Sequence, residues 1–424
     1  MKLCIFEDEK AVDFFPLTMT RAVFELRCGK RTLMERLIEA FSRESQVCLS
    51  ARDYLTGVLR ERYPSHLVNT LGPHDDVLFV NGRWLYKGDE VDLKDEYAGV
   101  NKGRVVLIKA KKETIKKLGD LPVPELVKKL SEELGRDEVE AELAEWPWDL
   151  VFANPEMIKY DFARIGKRGI HGKVHGNIEI VGDRDLVYVA PTAKVYPHVV
   201  IDTEGGPVII DEGAIVYPFS FIQGPSSVGE GTYIMTGAKV REGFTAGPVC
   251  RVGGEVEESI IHGYSNKYHD GFLGHAYVGE WVNLGALTTN SDLKNDYSEV
   301  VVYINGKPVR TGSTKVGSII GDHTKTSIGT LLNTGAVIGV MCNVLSTDLS
   351  PKYIPSFTWY INGKLSKGAG LRRMLKTAET MMSRRGKTLT PEQVRLFEHL
   401  YEMTREEREY YINLFYRKSG ALME

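Results

Sequence analysis

The sequence predicts an α/β domain over 1–152, a parallel β-helix over 153–350 and a helical tail over 351–424. Three observations carry this. Short apolar runs of parallel-strand type occupy the first part, apolar residues recur every six places in the glycine-rich middle, and helix-capping patterns follow at the end.

In the first part, Leu3–Phe6, Val47–Ser50, Asp76–Asn81 and Arg104–Lys109 read as strands buried on both faces. Residues Arg31–Ser42 read as a helix, with Leu33, Leu37 and Phe41 four places apart on one face. The charged stretch Lys111–Glu145 has helical periodicity, interrupted at Pro122 and Pro124.

From about 166 to 345 the period is six. Val195 and Ile201 share it, as do Ile209, Ile215 and Phe221, then Val228, Ile234 and Val240, then Phe272, Val278 and Leu284. It returns at Ile320, Leu332 and Ile338, with Thr326 between. One short strand per repeat, stacked on the next, satisfies such a pattern. Breaks near Gly205–Pro207, Gly243–Gly254 and Asp292–Lys315 read as insertions, and Asn305-Gly306 in the last marks a tight hairpin. His269, just before the most regular stretch, is a candidate general base.

In the tail, Thr390-Pro391-Glu392-Gln393 combines an N-cap, Pro at the first helical position and a capping-box Gln, and Thr404 with Glu407 repeats the box. Leu396, Leu400 and Tyr401 form an apolar face. The tail reads as a packing or oligomerisation element. The alternative is that Arg372, Arg373, Arg384, Arg385 and Lys387 contact a phosphate.

The net charge of −3 gives no strong pull toward nucleic acid or anionic membranes. No apolar run approaches the ~20 residues that span a bilayer. Five scattered cysteines without CxxC spacing fit a reducing compartment rather than a zinc site or disulfide framework. A cytoplasmic protein, with no nucleic acid and no membrane among its partners, is expected.

The stretches 6–37, NGRWL at 81–85 and PWDLVFANPEMIKYDF at 147–162, with the β-helix, carry a resemblance. Up to about residue 345 the chain resembles the bifunctional N-acetylglucosamine-1-phosphate uridylyltransferase/glucosamine-1-phosphate acetyltransferase family. Within it, the chain looks closer to a divergent sugar nucleotidyltransferase branch with a left-handed β-helix.

That resemblance implies site residues. His269 falls where the family has its acetyl-transfer base, and Arg241 where an arginine contacts the sugar phosphate. Asn283 and Asn290 match asparagines near the sugar and the base. Gly285 and Ala286 lie where a small wall admits coenzyme A, and Lys315 is a further phosphate candidate. Glu257 and Glu258 replace a family lysine for which Lys267 can stand in. Phe272 replaces a tyrosine, and His275 an aspartate.

In the first domain the family's glycine-rich phosphate loop is absent, and Glu7 and Asp8 follow the first strand instead. Arg21, Arg27 and Lys30 can supply positive charge. Asn81-Gly82-Arg83 carries arginine where the family has a metal-binding aspartate, which leaves Glu7 and Asp8 as the magnesium ligands to consider.

The implied function is a sugar-phosphate transferase with two sites. One joins a sugar-1-phosphate to a nucleoside triphosphate with Mg2+, and the other moves an acetyl group from acetyl-CoA to an amino-sugar phosphate. A homotrimer is expected by resemblance. Two alternatives stand beside this: a nucleotidyltransferase whose β-helix only oligomerises, and a non-enzymatic sugar-nucleotide-binding scaffold.

Overall fold

A computed structural model describes residues 1–42, 46–72, 75–91 and 95–420, with side chains through 416. The first domain is a seven-stranded sheet ordered β3-β2-β1-β4-β6-β5-β7. Its strands are β1 (Lys2–Phe6), β2 (Val47–Ser50), β3 (Leu67–Val68), β4 (Val77–Asn81), β5 (Tyr97–Asn101), β6 (Arg104–Ala110) and β7 (Arg136–Glu138). The four strands read from the sequence are all present, within one residue at each end. β1 runs parallel to both β2 and β4, whereas β6 is antiparallel to β4 and β5.

Helix α1 (Leu33–Phe41) starts at a capping box, in which Thr32 accepts from the Glu35 amide and Glu35 accepts from the Thr32 amide. Helix α2 (Thr56–Arg62) follows β2. The charged stretch forms only α3 (Lys112–Leu118) and α4 (Val123–Glu133). Its last third is not helical, because Arg136–Glu138 joins the sheet edge beside β5. Helix α5 (Pro147–Ile165) then leads to the β-helix.

The β-helix has three faces of parallel strands. One face runs from Glu179–Val181 to Phe272–Gly274 and a second from Gly169–Ile170 to Tyr353–Ile354. The third runs from Lys173–Val174 to Asn266–Lys267, then through the bridges Asn266–Asn283–Lys325 to Asn343–Leu345 and Trp359–Ile361. This is a parallel β-helix, the architecture that the six-residue period implies.

The six-residue period is real, but the inward residue differs in places. Ile210, Val216 and Ile222 fill the interior at the turn where Ile209, Ile215 and Phe221 were expected. Ile209 points outward and is buried because Ile158 and Phe162 of α5 cover it. Likewise Leu273, not Phe272, faces inward. Adjacent apolar residues hide a one-residue shift of phase, and covering one face with a helix removes the usual polar marker.

Residues 243–254 are no insertion. Phe244, Ala246, Cys250 and Val252 continue the interior stack. The insertion at 292–315 does hold the expected hairpin, Val301–Ile304 with Lys307–Arg310, and both Asn305 (φ 50°) and Gly306 (φ 71°) adopt the left-handed conformation of its turn.

The tail forms α6 (Leu371–Ser383), α7 (Pro391–Met403) and α8 (Arg405–Gly420). Helix α7 begins with the capping box read from the sequence, and Leu396 and Leu400 are buried. The box expected at Thr404 does not form. The Thr404 hydroxyl donates back to the Leu400 carbonyl (2.8 Å), and Glu407 instead accepts from the Tyr353 hydroxyl (2.6 Å). Met374 and Ala378 of α6 and Leu396, Phe397 and Leu400 of α7 share a core with the first domain's Leu37, Leu55 and Leu59. The tail is therefore a strap between the sheet domain and the far end of the β-helix.

Candidate active site

Between the third face and α6 lies a groove of about 840 Å3, to which His269, Asn283, Gly285 and Ala286 all contribute. The structure thus brings four of the residues carried over by resemblance into one place. Stacking of successive turns explains why small residues stand there. A Cβ on Gly285 would come within 2.5 Å of the Ser327 carbonyl oxygen, so only glycine fits beneath that turn.

The groove also holds Asn266 and Lys325, which were not singled out from the sequence. Along the third face, Arg251, Asn266, Asn283, Lys325 and Asn343 stack in register. The Asn266 amide donates to Asn283 (3.1 Å), and the Asn266 side-chain oxygen accepts from Arg385 of the tail (3.0 Å). Lys325 is half-buried, and burial pushes its amine down to about 8. A sequence signal existed, since each of these residues directly precedes an inward-facing residue: Val252, Lys267, Leu284, Thr326 or Val344.

His269 is exposed at a corner of the β-helix, its ring 4.9 Å from that of Tyr268. Its loop is anchored from beneath by Lys267. That amine is 2% exposed and donates to the carbonyls of His269 (2.6 Å) and Gly253 (3.1 Å). Burial pushes Lys267 down to about 8, with Asp270 opposing. Lys267 is therefore a positioning residue for the His269 loop and does not line the groove.

The other acceptor-side candidates sit elsewhere. Arg241 pairs with Glu257 (3.0 Å), and Lys315 lies 3.9 Å from the same carboxylate. Asn290 is buried and clamps the Gly274 backbone, accepting from its amide and donating to its carbonyl at 2.9 Å each. Half-buried Phe272 stacks on the same face through the strand pairing of 255–257 with 272–274.

Beside this group, His275 bridges Glu258 (2.7 Å) and Asp292 (2.8 Å). Burial opposes the charged ring, but hydrogen bonds to Asp292 and Glu258, and their charges, outweigh it and push His275 up to about 9. The hydrogen bond to His275 leads the depression of Glu258. Asp292 is held low by the same ring against its own burial. A raised folded-state pKa contributes stability that is complete below the unfolded value, ~6.5 for histidine, and is lost as pH rises through about 9. Thermal stability is expected to fall between pH 7 and pH 10, and His275→Gln is expected to flatten that fall. An unchanged pH profile in the variant would show that the bridge contributes nothing.

In the first domain, Glu7 and Asp8 directly follow β1 at the point where the strand order reverses, the usual ligand position in such sheets. They line a cleft of about 610 Å3 with Ser50, Arg52, Arg104 and Lys128. Neither carboxylate fits a magnesium ion in its present pairing. Glu7 binds Arg52 through both oxygens (3.0 Å each) and accepts from the Val23 amide (2.6 Å). Asp8 receives Arg83 bidentately (2.8 and 2.6 Å) and the Asn81 amide (2.9 Å). Burial raises the Asp8 carboxyl, but Arg83 and Asn81 more than offset this and hold it below the usual range. No group of three or more possible metal-binding side chains occurs among the described residues. A guanidinium already supplies the positive charge that a metal would bring to Asp8.

The cations expected to hold a nucleotide are similarly engaged. Arg21 is buried against Asp322 and lies 3.1 Å from Glu280, both in the β-helix. Lys30 pairs with Asp211, and Arg27 donates to the Lys30 carbonyl. The Gly82 amide donates to the Phe6 carbonyl (2.8 Å), and a Cβ there would come within 2.8 Å of Phe24. The signature loop thus docks onto the β-helix. Asn154 and Asp161 of α5 complete the joint by accepting from the Gly29 amide (2.6 Å) and the Arg36 guanidinium (2.9 Å).

A nucleotidyltransferase-like sheet joined to a β-helix with a grooved face defines a class that comparison makes specific. Residues 3–169 match the family model for sugar nucleotidyl transferase. The chain is 36% identical over 90 residues to a bifunctional sugar-1-phosphate nucleotidylyltransferase/acetyltransferase of Sulfurisphaera tokodaii (21% of this chain, 22% of the relative). It is 28% identical over 204 residues to the bifunctional protein GlmU of Methanococcus maripaludis (46% and 42%). Over 119 residues it is 34% identical to the GlmU of an Acidovorax species (26% and 25%). Together these support a divergent GlmU-like relationship. Each match spans less than half of the relative's length. A solved Francisella novicida UDP-N-acetylglucosamine acyltransferase aligns with 60% of this chain and 86% of its own at 15% identity, with a TM-score of 0.25.

Proposed function

We propose that this protein is a transferase of nucleotide-sugar synthesis that moves an acetyl group from acetyl-CoA to an amino-sugar phosphate at the groove containing His269. The supporting observation is the convergence of His269, Asn283, Gly285 and Ala286 on one groove. His269 accepts a proton from the attacking amine, the new C–N bond forms at the thioester carbonyl, and the C–S bond breaks as the coenzyme leaves as a thiol. Asn283 offers an amide to the substrate, and Gly285 keeps that wall low enough for the thioester to approach.

Nucleotidyl transfer at the first domain is the second half of the proposal, favoured by the family match and by the cleft at the strand-order reversal. Sugar-1-phosphate and nucleoside triphosphate are its substrates. Magnesium belongs to this half. Glu7 and Asp8 do not fit it as paired, and a nucleotidyltransferase that lacks this activity would leave the sheet as a binding domain.

A homotrimer completes the reading. Leu287 (60% exposed) and Ile328 (73% exposed) flank the grooves beside His269, where a second copy would cover them. Five buried, free cysteines fit a cytoplasmic setting. No described helix is long and apolar enough to cross a membrane.

A paired assay tests both halves. Acetyl-CoA with glucosamine-1-phosphate is expected to release thiol. A nucleoside triphosphate with a hexose-1-phosphate, with and without Mg2+, is expected to release pyrophosphate. Pyrophosphate without thiol would reduce the β-helix to an oligomerising module, and silence in both arms would favour a binding scaffold.

A further inference from the structure

We infer that the end of α6 is a phosphate-binding arm. Arg384 and Arg385, with Lys325 of the third face, take the phosphates of a phosphorylated, nucleotide-type co-substrate lying in the groove. The choice of coenzyme A as that co-substrate rests on the function proposed above; the phosphate site itself does not.

The first observation is charge. Lys325, Arg384 and Arg385 line the groove, and among the described residues no Asp or Glu lines it. The adjoining cavity of about 280 Å3 shares Lys325 and Thr377, adds Arg373, and is likewise lined without a carboxylate. Elsewhere Arg21, Arg36, Arg52 and Arg83 meet carboxylates, whereas buried Arg408 donates to the Tyr401 carbonyl and the Thr404 hydroxyl. Here the cations have only neutral partners: Asn266 for Arg385, the His323 carbonyl for Lys325, and the Gly231 and Cys250 carbonyls for Arg251.

The second observation is crowding. Arg251 lies over the Tyr233 ring at 3.6 Å, where burial and the neighbouring charge of Arg385 both disfavour its cation. Several cations placed together without an anion repel one another, and an anionic ligand relieves that repulsion. A simpler role exists for Arg384, since a cation at a helix C-terminus offsets the helix dipole. That role does not account for Arg385, whose guanidinium turns from the helix to reach Asn266 on the opposite wall.

The geometry orders the ligand along the groove. The small wall at Gly285 and Ala286 beside His269 admits the reactive end, and the cations at the tail side hold the phosphates. Guanidinium groups suit this because they bind phosphate oxygens two at a time.

Calorimetric titration of the full chain tests the arm with three probes: coenzyme A, adenosine 3′,5′-bisphosphate and pantetheine. Wild type against Arg384→Gln/Arg385→Gln is expected to show at least a tenfold weaker Kd for the two phosphorylated probes and no change for pantetheine. The wild-type affinity is also expected to fall as salt rises. If the bisphosphate binds in an arginine-dependent way but coenzyme A does not, the arm stands and the acetyl-transfer reading falls. Equal affinity in wild type and variant, or no binding of either phosphorylated probe, overturns the arm. Arg385→Lys keeps the charge but not the fork, and an intermediate Kd with an unchanged melting temperature would separate ligand binding from a packing role.

Discussion

Replacing His269 with Ala is expected to lower thiol release from acetyl-CoA by about 10^2- to 10^4-fold, the range for loss of a general base. The Kd for coenzyme A is expected to stay within about threefold, because the phosphates are held at the other end of the groove. Melting temperature is expected to be unchanged, since the ring is exposed and packs beside the ring of Tyr268. Lys267→Met should give a different pattern. It removes the donor to the Gly253 and His269 carbonyls, so the loop loosens and kcat falls, more modestly than in His269→Ala. Full thiol release by His269→Ala would remove this histidine from the chemistry and leave the groove as a binding site.

The fold was largely legible because its signals are local and repeated. Apolar runs marked the parallel strands, and the six-residue period marked the stacked turns even where it slipped by one residue at Ile209. The slip was invisible for a physical reason: α5 covers that face, so the outward residue is as apolar as the inward one. The site was legible only in part. His269, Asn283, Gly285 and Ala286 line one groove, since they lie within two successive turns. Arg385 was named from the sequence only among alternative phosphate contacts of the tail, and Lys325 not at all, because nothing in the sequence shows that a helix starting at Leu371 returns to a face built around Asn266 and Asn283. In the first domain, reading Arg21, Arg27 and Lys30 as phosphate ligands required knowing their surroundings. Asp322, Glu280 and Asp211 lie 301, 259 and 181 residues further along the chain and occupy two of the three.

That displacement predicts the largest effect on stability. Arg21 and Asp322 form a buried pair, Thr20 donates to the same Asp322 oxygen (2.6 Å), and the other oxygen accepts from the Glu280 amide (2.8 Å). Burial pushes the Asp322 carboxyl up even with Arg21 against it, while Asp322 and Glu280 keep Arg21 charged against its own burial. An arginine cannot escape by losing its proton, so the paired form is the relevant one. Asp322→Ala leaves that guanidinium enclosed with one partner, Glu280, and is expected to cost about 3–5 kcal/mol. The measurement is the denaturant midpoint and melting temperature of the full chain. Because the pair joins the signature loop to the β-helix, the sheet domain is expected to lose its protection from proteolysis before the β-helix does. Arg21→Met with Asp322→Leu removes both charges and is expected to recover most of the loss, as replacing a buried pair with apolar groups often does. The double variant also decides what Arg21 is for. Restored stability with pyrophosphate release intact makes it a clamp between domains, whereas restored stability with that activity abolished returns it to the nucleotide.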